Sequence, residues 1–346
     1  MKLLVCGGAG FIGSNFARQR VAEYGDAVTV LDKLTYAGRE ENLADLRDRP
    51  GFAFVHAGIE DAGAVAGAIA GVDGVVNFAA ETHVDRSIAE PDAFITTHAV
   101  GTFVLLEAAR AHGVRYVQVS TDEVYGSIEE GSFTEPSPVQ PSSPYSATKA
   151  GADLLVASYH HTYGLESLIC RGSNNYGPYQ YPEKLIPLMV LNALHGDPLP
   201  VYGDCRQVRN WIYVEDFARG IGHVLAHGEP GETYNVGGPD EAVNLDVVRR
   251  IIALTGASED LISYVTDRPG HDRRYSLGSE KVRALGWEAR VRFDEGLART
   301  VAWYQENRDW WETIRSGDYR AYYERQYGSR LRGGSRLPGE VTRPGS

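Results

Sequence analysis

Short apolar runs alternate with stretches of helical periodicity through the first half of this 346-residue chain. "KLLVC", "AVTVLD", "FAFVH", "GVVNFAA", "YVQVST" and "ESLICR" are short, rich in β-branched residues and bounded by glycine or polar positions, so they predict strands. Between them, residues 91–113 ("PDAFITTHAVGTFVLLEAARAHG") repeat apolar positions at helical spacing and predict one continuous helix. Strands alternating with such segments predict βαβ units and a parallel, doubly wound α/β sheet. From about residue 172 the texture becomes loop-rich, as in "GSNNYGPYQYPEKLIP" and "HGDPLPVYGD". "GETYNVGG" and "VNLDVVRRIIALTG" predict a further strand and helix in a smaller lobe. Residues 331–346 ("LRGGSRLPGEVTRPGS") offer little to bury and are expected to be disordered.

Composition narrows the partners. The formal net charge is -12, which argues against nucleic acid or an anionic membrane as the main ligand. The three cysteines, Cys6, Cys170 and Cys205, have no C-x-x-C spacing, so neither a disulfide framework nor a zinc site is expected and a reducing cytoplasm fits. No apolar stretch approaches the roughly 20 residues of a membrane span.

Candidate chemistry begins at "GGAGFIG", directly after the first apolar run. Glycines at positions 7, 10 and 13 before a helix let a pyrophosphate approach the free N–H groups of the helix start. In a chain with 39 glycines that spacing arises by chance ~0.5 times, so position rather than spacing carries it. Asp32 ends the next strand, where a carboxylate can accept from the adenosine ribose and would repel a 2′-phosphate. NAD is therefore expected rather than NADP, with Lys33 beside Asp32 as the one opposing charge.

Tyr145 and Lys149 lie four apart in a predicted helix over 144–164, so they share one face. Ionising a free tyrosine near pH 7 needs about 4 kcal/mol of help, which a nearby cation can give. Lysine is scarce here, five residues against 20 tyrosines, so a chance pairing is uncommon.

"STDEVYGS" (120–127) is the oddity. Neighbouring residues on a strand point to opposite faces, yet Asp122 and Glu123 stand side by side at a strand end. Two carboxylates in unlike environments can divide acid and base roles near neutral pH.

Together "GGAGFIG", "DKLTYAG", "AAETHVDRSI", "STDEVYGS", "YSATK", "SNNYGPYQYPEKLIP", "RNWIYVED" and "RPGHDRRYSL" resemble the nucleotide-sugar branch of the extended short-chain dehydrogenases/reductases. Within it the chain is most similar to the dTDP-glucose 4,6-dehydratase family, over nearly its whole length except the tail. The resemblance implies a Rossmann-type NAD domain (1–171 plus about 209–236) and a nucleotide-sugar-binding lobe (172–208 plus about 237–330). It implies that Tyr145 takes the 4-hydroxyl proton as hydride leaves carbon 4, with Thr121 holding that hydroxyl. Lys149 would orient the nicotinamide ribose and lower the tyrosine pKa. Glu123 would remove the carbon-5 proton, and protonated Asp122 would release the 6-hydroxyl as water. Another 4,6-dehydratase or a 4-epimerase acting on a UDP- or CDP-sugar is the alternative on this scaffold.

The same resemblance implies cofactor contacts at Phe11, Ile12, Thr35, Gly38, Ile59, Ala79 and Ala80, and also at Thr97, Ser120 and Asn175. It implies substrate contacts at Thr82, Asn174, Lys184, Leu185, Pro200 and Tyr202, and further ones at Arg209, Asn244, Arg268, His271 and Tyr275. A homodimer and a cytoplasmic location follow from it, and no metal. Five positions depart from the family pattern. Gly58 replaces an aspartate at the adenine, His98 an asparagine, Gly172 a cysteine, Asn210 an aspartate and Phe217 a histidine.

Overall fold

A computed structural model describes residues 1–267, 271–315, 319, 323–328 and 331. The six early runs form strands β1 (Lys2–Cys6), β2 (Ala27–Asp32), β3 (Phe52–His56), β4 (Gly74–Asn77), β5 (Arg115–Thr121) and β6 (Ser167–Gly172). Later come β7 (Asn174–Tyr176), β8 (Leu199–Tyr202), β9 (Val208–Tyr213), β10 (Thr233–Val236), β11 (Asp240–Val243) and β12 (Ile262–Val265).

The large sheet has the order β10-β6-β5-β4-β1-β2-β3, and every pair in it is parallel. Parallel strands covered on both faces read as unbroken apolar runs, because each side chain meets a helix layer whichever way it points. Alternate residues of β1 show this. Leu3 and Val5 join a core with Phe16, Ile221 and Val224, while Leu4 and Cys6 join another with Leu105, Leu106 and Val156. The strand order reverses between β1 and β4. Ligands of such sheets bind at the carboxyl ends beside that switch point. Periodicity alone placed "GETYNVGG" in a smaller lobe; its strand β10 instead pairs with β6 in the large sheet.

β7, β9 and β11 make a three-stranded mixed sheet, and β8 pairs with β12. A further core gathers Tyr176, Trp211, Tyr304 and fully buried Trp311 beneath the helices Leu185–His195 and Asn244–Thr255, with Trp303 and Trp310 packed at its edge. The three cysteines are buried and free. Among the described residues no helix is long and apolar enough to cross a membrane.

The stretch 91–113 is not one regular helix. It runs Asp92–Ile95 as α, Thr96–Gly101 as π and Thr102–His112 as α. Buried His98 sits in the wide turn, where its Nε2 accepts from the Glu81 N–H at 3.2 Å and its Nδ1 meets Thr148 Oγ1 at 2.8 Å. Burial, with Lys149 nearby, pushes its pKa well down, so the ring is neutral and the Glu81 bond fixes the proton on Nδ1. Periodicity does not register such a turn, which is set by the ring's partners.

Candidate functional site

The first βα turn forms a cradle at the switch point. Gly7 has φ +71°, and a Cβ there would lie 2.4 Å from the Ala79 nitrogen. A Cβ on Gly13 would stand 2.3 Å from the Gly7 carbonyl oxygen. Only glycine permits this packing of loop against helix start. Asp32 closes β2, accepting from the N–H groups of Ala9 (2.9 Å) and Leu34 (2.8 Å).

A cavity of about 300 Å3 opens from this cradle. Its wall carries Gly7, Gly10, Phe11, Ile12, Gly13, Asp32, Lys33, Thr35 and Gly38. Farther along stand Ile59, Ala79, Ala80, Thr97, Ser120, Asn175, Tyr145 and Lys149. The sequence-derived cofactor set is thus one continuous surface. The tight glycine cradle and the Asp32 carboxylate fit a dinucleotide whose ribose lacks a 2′-phosphate.

A second chamber of about 160 Å3 adjoins it, and Glu123, Asn174, Lys184, Leu185 and Trp211 border both. Pro200, Tyr202, Arg209, Asn244, His271 and Tyr275 line this second chamber, while Thr82 lines the first. Arg268 lies outside the described residues. Arg209 is buried, donates to the Asp272 carbonyl at 2.9 Å and lies 4.3 Å over the Tyr275 ring. Several buried polar atoms on these walls have no hydrogen-bond partner among the described residues: Ser120 Oγ, Asp122 Oδ2 and the side-chain oxygens of Asn174, Asn175 and Asn244. Buried polar atoms are normally paired, so this cluster marks a polar ligand's place.

The catalytic candidates converge where the chambers meet. The helix Pro144–Tyr163 starts with a reciprocal Ser143/Ser146 capping box and Pro144 in its first turn, as its sequence dictates. Tyr145, Lys149 and Asp153 follow at spacings of four and are all buried. Lys149 Nζ donates to the Val119 carbonyl at 2.6 Å, and burial, opposed by Asp153, lowers its pKa to about 8.

β5 ends at Thr121, and Asp122–Tyr125 turn as a 3-10 helix capped by the Thr121 hydroxyl, which accepts from the Glu123 N–H at 3.2 Å. A 3-10 turn rotates each residue by about 120° rather than the strand's 180°, so consecutive carboxylates can border one cleft. Asp122 is 2% exposed. Burial, and then the Glu123 charge, push its pKa up to about 8 against the pull of Arg209 and Thr121.

Burial and the Glu123 charge hold the Tyr145 pKa above the ordinary tyrosine value, and the Thr121 hydrogen bond lowers it. Sequence reasoning missed Glu60, Glu183, Gln207 and Trp211, all on the cleft walls. No spacing rule marks them, since separate elements bring them in.

The model of the family described as GDP-mannose 4,6 dehydratase matches residues 4–300. A dTDP-glucose 4,6-dehydratase of Streptomyces niveus is 50% identical over 325 residues, 92% of this chain and 97% of that one. One from Escherichia coli (strain K12) is 48% identical over 360 residues, 95% of this chain and 100% of that one. The crystal structure of DesIV, a dTDP-glucose 4,6-dehydratase from Streptomyces venezuelae with NAD and TYD bound, has a TM-score of 0.89 and 53% identity, covering 91% of this chain and 100% of that one.

Proposed function

This chain belongs to the dTDP-glucose 4,6-dehydratases of the GDP-mannose 4,6 dehydratase family, and we propose that its two chambers hold NAD and dTDP-glucose and yield dTDP-4-keto-6-deoxyglucose and water. The observation that carries the reading is the unlike pair at the junction, a buried Asp122 protonated up to about pH 8 beside Glu123.

Gly7, Gly10 and Gly13 would take the pyrophosphate, Asp32 the adenosine ribose and Lys149 the nicotinamide ribose. When bound, the cofactor would store the carbon-4 hydride and return it at carbon 6, and its cationic ring would add positive charge near Tyr145.

Tyr145 accepts the 4-hydroxyl proton while Thr121 orients that hydroxyl. The 4-keto group acidifies carbon 5, and Glu123 removes that proton. Asp122 gives its proton to the 6-hydroxyl, so the carbon–oxygen bond breaks and water leaves. Glu123, which opens into both chambers, exchanges its proton with solvent and then protonates carbon 5 as carbon 6 receives hydride. At this stage Tyr145 holds one proton more and Asp122 one fewer than at the start. The Thr121 hydroxyl, 3.3 Å from Asp122 Oδ1 and hydrogen-bonded to Tyr145, is the bridge through which the excess can move back.

In the second chamber Arg209 and Lys184 would face the diphosphate, where charge-assisted bonds are strong. The helices around Phe103 and Leu154, which are 48% and 65% exposed, form an apolar face that a second copy would cover as a homodimer.

Mass spectrometry of the products tests the reaction. Loss of water from dTDP-glucose supports the dehydratase reading; a product of unchanged mass overturns it in favour of epimerisation.

A further inference from the structure

The sheet order puts the carboxyl ends of β1, β2 and β3 side by side. In the proposed cofactor site the pyrophosphate lies at the glycine turn after β1 and the ribose at Asp32, the last residue of β2. The adenine base continuing in the same direction reaches the segment after β3, where Gly58, Ile59 and Glu60 line the same cavity.

Gly58 and Glu60 share more than this wall. The chain turns here, with the Asp61 N–H donating to the Gly58 carbonyl at 3.1 Å. A Cβ built on Gly58 would stand 2.5 Å from the carboxyl carbon and both carboxylate oxygens of Glu60. The Glu60 carboxylate therefore fills the volume that any side chain at position 58 would need. Its two oxygens differ. Oε1 faces the Lys33 ammonium at 3.9 Å, and Lys33 is itself tied to Thr97 Oγ1 at 2.9 Å and to Glu81 at 3.3 Å. Oε2 is buried and has no hydrogen-bond partner among the described residues. A buried carboxylate oxygen without a donor is costly, so a ligand donor is called for there.

We infer that Glu60 is the adenine-specificity residue of this chain, its Oε2, seated where a side chain at position 58 would stand, accepting from the exocyclic amino group of the base. The inference rests on the NAD reading above and extends it to a residue two positions beyond the site where the family resemblance places that contact. Adenine offers an amino donor at the position where hypoxanthine offers a carbonyl acceptor. A carboxylate therefore favours the first and opposes the second.

The test equilibrates the full-length protein with equal excesses of NAD and its hypoxanthine analogue, starting from each loading, and quantifies the bound dinucleotides by chromatography. The expected result is a preference for NAD of about tenfold, from a charge-assisted bond gained on one side and lost on the other. Glu60→Ala should bring the ratio close to one, and Glu60→Gln, which keeps an acceptor, should retain part of it. Gly58→Asp combined with Glu60→Ala should restore the preference, since the vacated space then admits the shorter carboxylate. A wild-type ratio near one, or an unchanged ratio in Glu60→Ala, overturns the role of Glu60 while leaving the NAD site intact. No bound dinucleotide of either kind overturns the NAD reading itself.

Discussion

Asp122 and Glu123 are consecutive residues, yet both line the first chamber, because the chain leaves β5 at Thr121 and turns as a 3-10 helix. Their environments differ. Asp122 is sealed from solvent at 2% exposure, while Glu123 opens into both chambers. The burial of one and the charge of the other separate acid from base.

Asp122→Asn should slow water loss by about 100- to 10,000-fold, the range for removing a general acid. The wild-type rate should fall as pH rises through about 8, where Asp122 loses its proton. Stability follows the same sign. The raised pKa favours the folded state fully below the unfolded value near 3.9, and that advantage is lost as pH rises towards 8. The Asn variant should therefore melt above wild type at pH 8.5, with a much smaller gap at pH 5. Calorimetry at the two pH values checks this.

Asp153→Asn should destabilise the fold by about 3–5 kcal/mol, the usual result of stranding a buried charge. Arg171 Nε meets Asp153 Oδ2 at 2.9 Å, and the same guanidinium donates to the Tyr125 hydroxyl at 2.8 Å. Tyr125 belongs to the turn that carries Asp122 and Glu123, so activity should fall with stability. Denaturant titration reads the first effect and product assay the second.

Gly172→Cys should cost about 1–3 kcal/mol through overpacking, because a Cβ there would lie 2.4 Å from the Phe217 ring. Adding Phe217→His should recover most of that loss. A double-mutant cycle by thermal melting measures the coupling.

Leu154→Glu and Phe103→Glu should convert a dimer to a monomer if a second copy covers these exposed positions. Light scattering across a concentration series distinguishes the two states.

The motifs legible in the sequence each lie within one short continuous stretch. The glycine turn, the Tyr145–Lys149 face and the Thr121–Glu123 triplet need only local spacing and the strand before or after them. Strands β1, β4, β5 and β6 were legible for a related reason, since burial on both faces writes continuous apolar runs. The π-turn at Thr96–Gly101 was not, because His98 is fixed by Glu81 and Thr148 from other elements. The departures from the family pattern were visible as isolated oddities, but their pairing was not. Gly172 makes room for Phe217, and Gly58 for the Glu60 carboxylate. Asn210 is also accounted for by its partners: its Nδ2 donates to the Gly238 carbonyl at 2.9 Å while its Oδ1 accepts from the Gly238 N–H at 3.0 Å. The elevated Tyr145 pKa belongs to the same class, since burial depth is a property of the assembled cleft.

The assignment of base and acid to neighbouring carboxylates is tested most directly by turnover of dTDP-glucose in deuterated water, comparing wild type with Glu123→Gln. The account predicts a 4-keto-6-deoxy product carrying deuterium at carbon 5 from wild type. For the variant it predicts loss of both product and carbon-5 exchange, with NAD still bound. A wild-type product without deuterium at carbon 5, or a variant that turns over and exchanges like wild type, would contradict it.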